Sequence, residues 1–433
     1  MATTPLWWDD APPGPGPDDM PPPRADVLIV GGGYAGLSCA LALAEGGADV
    51  VVVDAEMPGH GGSSRNGGQV TGGWGLIDLD AKDQGLMRER VASGLRSLTD
   101  FEATVARLGL QGCWQPTGKF VGAFAPSHLP GLARKAEWAA KAGVLDTEVV
   151  TRAEQHREVA TELYHGGVRF SPGGAVQPAR LLAGLLAAAL RAGARVVAPV
   201  RVTGLERRAG GWRVATERGA VEVARVVVAT NGYTGSATPA LQRRVVPVAS
   251  HIIATAPLAP EDARALIPHA RPISDTARVL SYFRLSPDGR RLVFGGRASF
   301  GRVGPSAAAR GLVAMMLRRF PQLAGTRITH SWQGNVAFAR DRLPHMGEAD
   351  GLSWAVCCNG SGVAMMTYLG ERVAHRILTR PNGPVCAFDD GVVPSVEHAT
   401  LPTIPLYTGR PWFVPLIGMS YRLRDRLDRL SIR

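Results

Sequence analysis

A glycine-rich turn near the start of the chain constrains the fold more than any other feature. Gly31, Gly33 and Gly36 form a GxGxxG pattern that follows the apolar run ADVLIV and opens a second apolar segment. In a βαβ unit such glycines permit a tight turn, close approach of backbone to a pyrophosphate, and close packing of helix on strand. The helix start, at Tyr34 and Ala35, offers N–H groups and a positive dipole to phosphates. We therefore predict that a dinucleotide binds at this turn.

The next apolar run supports the same interpretation. Residues 49–53 form a second predicted strand, which ends at Asp54. A carboxylate at this position can accept hydrogen bonds from the hydroxyl pair of a ribose. A purely structural glycine turn would not explain the whole sequence of strand, turn, helix and acidic strand end. The motif by itself does not distinguish FAD from NAD.

A second glycine-rich segment follows almost at once. Residues 59–75 read GHGGSSRNGGQVTGGWG, and backbone so rich in glycine can lie flat against a large planar ligand. Residues 61–68 resemble the GASGRNGG loop of the D-amino-acid oxidase (DAO) superfamily of flavoproteins. The LWWDDAP arm, the VVVATNGYT strand, the YFR and GRRLVFGGR hairpin and the WQGN and RDRLPHMG segments resemble that superfamily too. The resemblance extends from Trp7 to about Ile377.

The resemblance implies a noncovalent FAD and an α/β (α+β) fold, in which a Rossmann-like FAD-binding domain is interleaved with an antiparallel-sheet substrate domain. It implies that Val202 meets the adenine and that residues 360–363 start a helix aimed at the flavin pyrimidine ring. The superfamily usually has a histidine where this chain has Ser361, and an ordinary helix cap by Asn359 or Ser361 is the alternative. The remaining cofactor contacts that it implies are Ser63, Ser64, Arg65, Asn66, Gly67, Gly68, Thr230, Asn231, Gly360, Gly362 and Val363.

The predicted organisation is discontinuous. From residue 247 the pattern becomes β-rich, and a Pro-Asp-Gly turn at 287–289 predicts a hairpin. The predicted parts are a proline-rich arm (1–24), an FAD-binding domain (25–90, 165–245 and 330–380), a substrate domain (91–164 and 246–329) and a proline-rich, basic tail (381–433).

Candidate catalytic residues lie in the β-rich part. His251 is on a strand that resembles one lining the substrate side in the superfamily, although a strand histidine is often structural. Tyr282 and Arg284 alternate on one strand face and could clamp an anionic group. Further candidates are Arg297 and Arg340. His60, beside the glycine-rich loop, could suggest covalent flavin attachment, but its match to an attachment motif is poor.

The predicted reaction is FAD-dependent oxidation of the C–N bond of an amine or amino acid by hydride transfer to flavin N5. The product is an imine, which water hydrolyses, and dioxygen takes the electrons to give hydrogen peroxide. A dehydrogenase that passes electrons to a quinone or another acceptor is the first alternative. An FAD-containing tRNA-modifying protein and a non-enzymatic flavin-binding protein are the others.

Charge and cysteine content limit the partners and the location. The net charge is +11, but it comes from forty-four arginines that are scattered along the chain, against four lysines, so nucleic acid is not an expected partner. The five cysteines form no CxxC motif, which predicts neither a metal site nor a disulfide framework and favours the reducing cytoplasm. No membrane span is predicted. The tail WFVPLIGMSYRLRDRLDRL could lie on an anionic bilayer or pack across its own protein.

Overall fold

The predicted βαβ unit is present in the computed structural model, which describes residues 1–14, 16–297, 303–381 and 383–430. It consists of β1 (Arg24–Val30), α1 (Tyr34–Glu45) and β2 (Val50–Val53), with the two strands parallel and paired. Gly31 has a φ of 107°, which favours glycine. A Cβ on Gly36 would lie 1.9 Å from the Gly31 carbonyl oxygen, so α1 approaches the turn more closely than any side chain would allow.

The other elements complete three sheets and their covering helices. The further helices are α2 (Gly62–Arg65), α3 (Gln84–Arg107), α4 (Leu129–Lys141), α5 (Pro178–Arg191), α6 (Pro239–Gln242), α7 (Pro260–Leu266), α8 (Pro305–Leu317), α9 (Gly362–Thr379) and α10 (Val414–Leu430). The further strands are β3 (Gln69–Thr71), β4 (Trp114–Gln115), β5 (Lys119–Gly122), β6 (Asp146–Val150), β7 (Gly167–Ser171), β8 (Gly173–Val176), β9 (Arg195–Val197), β10 (Val202–Arg208), β11 (Gly211–Thr216), β12 (Gly219–Val228), β13 (Val246–Thr255), β14 (Ile273–Asp275), β15 (Ser281–Leu285), β16 (Leu292–Gly296), β17 (Ile328–Phe338), β18 (His345–Ala349), β19 (Leu352–Val356) and β20 (Asp389–Val392).

The first sheet, which we call the cofactor sheet, has the order β20-β18-β19-β12-β1-β2-β9, with β10 and β11 added as a ribbon beside β12. Its centre is parallel, because β1 pairs in parallel with both β2 and β12. Side chains alternate between two cores: Ile29 packs with α1, α5 and α9, whereas Leu28 packs with the ribbon side. This arrangement confirms the Rossmann-like prediction.

The second sheet, which we call the substrate sheet, has the order β17-β13-β16-β15-β14-β5-β7-β6. Most of its pairs are antiparallel, and the predicted hairpin is β15 and β16, joined at Gly289 with a φ of 70°. A short third sheet is formed by β3, β8 and β4.

The chain passes between the two large sheets several times. The predicted domain segments therefore do not coincide with the segments that form each sheet. The predicted FAD segments begin at 165 and 330, but β7 and most of β17 pair within the substrate sheet. In the predicted tail, β20 joins the edge of the cofactor sheet and α10 is a helix. Periodicity identifies a strand but not the sheet that it joins, so it could not fix these positions.

Candidate active site

A cavity of about 730 Å³ begins where β1 and β2 end and extends to the substrate sheet. In a sheet of this kind, ligands bind outside the carboxyl ends of the parallel strands. Its wall contains most of the predicted cofactor residues: Gly31, Gly33, Tyr34, Ala35, Asp54, Ser63, Arg65, Asn66, Gly67, Val202, Thr230, Asn231, Gly360, Ser361, Gly362 and Val363.

Three predicted cofactor residues support the wall from behind. Gly36 packs α1 against the turn, as described above. The Ser64 hydroxyl donates to the Gly59 carbonyl and accepts a hydrogen bond from Trp8 Nε1 at 2.9 Å. Gly68 closes the loop, because its N–H donates to Asn66 Oδ1 at 2.8 Å. Gly36 thus shapes the turn and the other two shape the glycine-rich loop, and none of the three lines the cavity.

The start of α1 has no capping side chain of its own. Its N-cap is Gly33, and the N–H of the first helical residue, Tyr34, donates to Ser63 Oγ of the glycine-rich loop at 3.0 Å. A Cβ on Gly33 would lie 2.8 Å from the same Ser63 Oγ. The turn therefore presents helix-end N–H groups to the cavity at a point where a side chain would not fit, which suits a pyrophosphate.

Asp54 lies at the end of β2 as predicted. Its carboxylate accepts hydrogen bonds from the N–H groups of Gly32 (2.6 Å) and Glu56 (2.9 Å), and burial raises its pKa. Each carboxylate oxygen can accept a second hydrogen bond. Because Val202 and Arg201 line the same end of the cavity, this end suits an adenosine and its ribose.

The glycine-rich loop is tied to the N-terminal arm. Trp7 Nε1 donates to the Asn66 carbonyl at 2.8 Å, and the Arg65 guanidinium lies 4.6 Å from the centre of the Trp8 ring. His60 lines the cavity, but Arg65 Nη2 lies 3.0 Å from its Nε2, and burial lowers the pKa of the imidazole. The arm thus fixes the loop that faces the predicted flavin.

The start of α9 faces the cavity as well. Its N-cap, Ser361, makes no side-chain capping bond. Asn359 is occupied elsewhere: its Nδ2 donates to the Cys357 carbonyl at 2.6 Å, and its Oδ1 accepts from the Ala339 N–H at 3.2 Å. The alternative of an ordinary side-chain cap is therefore wrong. The uncapped N–H groups and helix dipole can stabilise negative charge on a ligand.

Tyr282 is the predicted catalytic residue that does line the cavity. Its hydroxyl lies 2.8 Å from Ser250 Oγ, and burial raises its pKa to about 12. The ring fits between two glycines, because a Cβ on Gly67 would come within 2.6 Å of the ring and one on Gly295 within 2.2 Å. Tyr282 is thus held rigidly beside the glycine-rich loop.

Arg284 shares that strand face but does not reach the cavity, which corrects its predicted placement. It is 1% exposed, and its guanidinium donates to the carbonyls of Val176 (2.7 Å), Leu285 (2.8 Å) and Gly68 (3.0 Å). Burial without a carboxylate partner lowers its pKa to about 9. Alternation along β15 does put both side chains on one face, but the loop at Gly68 packs over Arg284. Arg284 therefore positions the glycine-rich loop.

His251 is also away from the cavity wall, contrary to the expectation. It lies in the middle of β13, paired with Gly296 on one side and Gln333 on the other, and it is fully buried. Burial lowers the pKa of its imidazole. The neighbouring Ser250 contacts Tyr282 at the cavity, so alternation along β13 points His251 to the opposite face of the sheet, and the structure favours the structural interpretation.

Two cations stand at the cavity end that faces the substrate sheet. Lys119, at the start of β5, was not singled out by the sequence; the available signal was a lysine in the otherwise apolar strand KFVG. Arg297, a secondary candidate, lines the cavity and stacks over Phe338, with 5.0 Å from its guanidinium carbon to the ring centre. Arg340 is exposed and outside the wall.

Among the residues that the structure describes, no carboxylate pairs with the cations at this end of the cavity. Lys119 makes no ion pair or hydrogen bond through its ammonium with any residue that the structure describes, and burial lowers its pKa to about 8. The carboxylates in the described cavity wall, Asp54 and Glu56, are both at the opposite end, where β2 ends. The cavity therefore has one end at the glycine turn and Asp54, which suits a dinucleotide, and a cationic end lined by Tyr282, Lys119 and Arg297.

The chain is similar in sequence to known oxidoreductases. The chain is 34% identical to gamma-glutamylputrescine oxidoreductase of Escherichia coli (strain K12) over 414 residues, which is 93% of each chain. It is 31% identical to the probable oxidoreductase OrdL of Rhizobium meliloti (strain 1021), covering 82% of this chain and 83% of that protein.

Solved structures agree on the fold. Glycine oxidase from Geobacillus kaustophilus superposes with a TM-score of 0.71 at 21% identity, covering 84% of this chain and 96% of that one. L-proline dehydrogenase from P. horikoshii superposes with a TM-score of 0.66 at 18% identity, covering 83% of this chain and 95% of that one. The sequence profile of the DAO family, described as FAD dependent oxidoreductase, matches residues 26–376. The chain therefore belongs to the DAO family of FAD-dependent oxidoreductases.

Proposed function

We propose that this protein oxidises the C–N bond of an amine or amino acid that also carries a carboxylate, with noncovalent FAD and with dioxygen as the electron acceptor. The single observation that carries the proposal is the cavity itself. A site for a dinucleotide leads directly into a buried, cationic end with a fixed tyrosine. The Escherichia coli relative, whose name gives an amine, gamma-glutamylputrescine, as the compound it acts on, supports the substrate class.

FAD, when bound, supplies a hydride acceptor in its flavin ring. The chain's own residues would hold it: Gly33 and Tyr34 at the pyrophosphate, Asp54 and Val202 at the adenosine, and the start of α9 at the flavin. The uncapped N–H groups of α9 favour negative charge there. They would therefore stabilise the electron-rich form of the ligand more than the oxidised form.

The cationic end would select the substrate's protonation state and its orientation. A neutral amine, unlike an ammonium ion, has the lone pair that drives hydride loss from the adjacent carbon. Lys119 and Arg297 repel an ammonium ion and so favour the neutral amine, whereas they attract a carboxylate. Tyr282 completes this wall with a hydroxyl held by Ser250. The carboxylate at the cationic wall leaves the amine-bearing carbon toward the flavin.

The contacts of the His60 imidazole with other side chains support noncovalent binding of FAD. Its Nε2 contacts Arg65, and its ring lies tilted against Trp8 with ring centres 5.5 Å apart. Acid precipitation should therefore release intact FAD, and flavin retained in the pellet would contradict this part of the proposal. We also propose a cytoplasmic location, which the free thiols of Cys39, Cys113, Cys357, Cys358 and Cys386 support.

The test is anaerobic mixing of the holoenzyme with a panel of amines and amino acids, read by loss of flavin absorbance. Compounds that pair an amine with a carboxylate should bleach the flavin, and their amides should do so poorly. A flavin that no member of the panel bleaches would overturn the proposed function in favour of a binding role. Readmission of air should then yield hydrogen peroxide, whereas reoxidation only by a quinone would identify the dehydrogenase alternative.

A further inference from the structure

The second half of α10 is bound to the body by its polar side, whereas its first residue, Val414, packs in an apolar cluster with Val246 and Tyr407. In α10, the Asp425 carboxylate accepts hydrogen bonds from the N–H groups of Arg278 and Val279, both at 2.9 Å. Asp428 pairs with Arg278 and with His128 Nε2. Polar anchoring inverts the usual arrangement, in which a surface helix buries its apolar side.

The opposite side of α10 carries an apolar row that the described part of the protein leaves uncovered. We call it the leucine stripe: Leu416, Met419, Leu423, Leu427 and Leu430, each between 54% and 66% exposed. The spacing of three or four residues places all five side chains within about 80° around the helix axis. Trp412, which is 60% exposed, comes two residues before the helix. A contiguous exposed apolar row of this kind marks an interaction surface.

Arginines border the leucine stripe on both sides. At 100° per residue around the helix axis, Arg426 lies just outside one edge of the stripe and Arg424 lies outside the opposite edge. Both side chains are exposed. The two carboxylates of the helix, Asp425 and Asp428, are turned toward the body and engaged there. The outer surface of α10 is therefore apolar along its middle and positive along its edges.

We propose that α10 docks this protein on an anionic lipid bilayer, with the leucine stripe in the interface and the flanking arginines at the headgroups. An apolar row bordered by arginine on a helix with a tryptophan near its start is the pattern of an interfacial helix. Charge also decides against a second copy of the chain. Pairing two stripes would bring arginine against arginine, with the helix carboxylates turned away. No helix in the described ranges is long and apolar enough to cross a membrane, so the contact is peripheral.

The docked surface would lie close to the active-site cavity. Asp425 is bonded to the backbone of Val279, and the next residue, Leu280, lines the cavity together with Arg297. Tyr421 of the same helix accepts a hydrogen bond from Arg342 at 3.0 Å. The helix is thus fixed to the rim of the cationic end, although docking does not depend on the reaction proposed above.

The test is co-sedimentation of the full-length holoenzyme with vesicles of phosphatidylcholine alone or mixed with phosphatidylglycerol. We expect binding to the mixed vesicles, little binding to phosphatidylcholine alone, and release by salt. Replacing Arg424 and Arg426 by Gln should lower the partition coefficient by about 25-fold, since each arginine near an anionic surface contributes a factor of about five. The matched control is Arg134→Gln, at an exposed site on α4.

The double variant Leu423→Glu/Leu427→Glu should abolish sedimentation, whereas Val392→Glu, an exposed apolar residue elsewhere, should retain it. FAD content and thermal midpoint check that each variant folds. Wild-type protein that stays in the supernatant with both vesicle types would overturn the proposal. Unchanged vesicle binding by Leu423→Glu/Leu427→Glu would overturn it too. A dimer that forms without lipid, and that Leu423→Glu/Leu427→Glu converts to a monomer, would instead assign the stripe to contact with a second copy of the chain. These readouts need no turnover, so they are independent of the proposed function.

Discussion

Gly33 is placed where backbone, and no side chain, must face the ligand. A Cβ there would already meet Ser63 Oγ at 2.8 Å, and a carboxylate would add negative charge beside the pyrophosphate. We expect Gly33→Asp to abolish FAD binding, measured as the flavin-to-protein absorbance ratio of purified protein. Gly112→Asp is the control, because Gly112 is exposed and has no atom within 4 Å of an added Cβ. Normal flavin content in Gly33→Asp would show that the cofactor has been assigned to the wrong turn.

Lys119 makes substrate binding depend on pH. Because burial lowers its pKa to about 8, the ammonium charge is present below that pH and is lost as the pH rises through it. We expect the affinity for a carboxylate analogue without an amine to fall above pH 8, by up to about tenfold per pH unit. Perturbation of the flavin spectrum measures this affinity. An unreactive analogue is needed, because deprotonation of a substrate amine would change the rate in the opposite direction.

Lys119→Met should weaken this binding below pH 8 and flatten the pH profile. Lys135→Met is a matched control: burial also lowers the pKa of Lys135 to about 8, but its ammonium stacks over Trp74 and does not line the cavity. A pH profile in Lys119→Met that equals the wild-type profile would exclude Lys119 from the anion site.

At the scale of elements, Arg284 connects the β15–β16 hairpin to the glycine-rich loop and to β8. Arg284→Ala leaves the carbonyls of Gly68, Val176 and Leu285 without this donor, and it removes buried volume. We expect the free energy of unfolding to fall by about 2–5 kcal/mol in urea titrations, with reduced FAD retention. Arg327→Ala, at an exposed site just before β17, should change it little. If Arg284→Ala kept the full free energy of unfolding but bound substrate more slowly, Arg284 would have to contact the substrate in the cavity.

At the scale of the whole molecule, the cavity joins elements from both large sheets. Its wall includes the ends of β1 and β2 from the cofactor sheet, and parts of β13, β15 and β17 from the substrate sheet. FAD should therefore bind the folded chain only, and free FAD at about 100 times its Kd should add about 2.7 kcal/mol to the free energy of unfolding. Thermal midpoints measured across an FAD titration test this, with ADP as a partial ligand. Equal midpoints with and without FAD would contradict it.

The sequence by itself determined the parts of the protein that local pattern specifies. GxGxxG between an apolar strand and an apolar helix has few other uses, so the βαβ unit, its glycine turn and the position of Asp54 at the end of β2 were placed correctly. The Pro-Asp-Gly turn likewise fixed the hairpin of β15 and β16, because alternation and turn chemistry act within a few residues.

Only the tertiary structure decided which side chains face the cavity. Alternation placed Tyr282 and Arg284 on one face, but the loop at residues 66–68, far away in sequence, covers Arg284 and leaves Tyr282 open. His251 follows Ser250, whose hydroxyl faces Tyr282, and so points to the opposite face of β13. Lys119 lines the cavity because β5 joins the substrate sheet through β14 and β7. Periodicity reports the face of a strand, whereas contact with a cavity depends on which distant segment packs over that face. This is why local pattern predicted the residues of the glycine turn better than those of the cationic end.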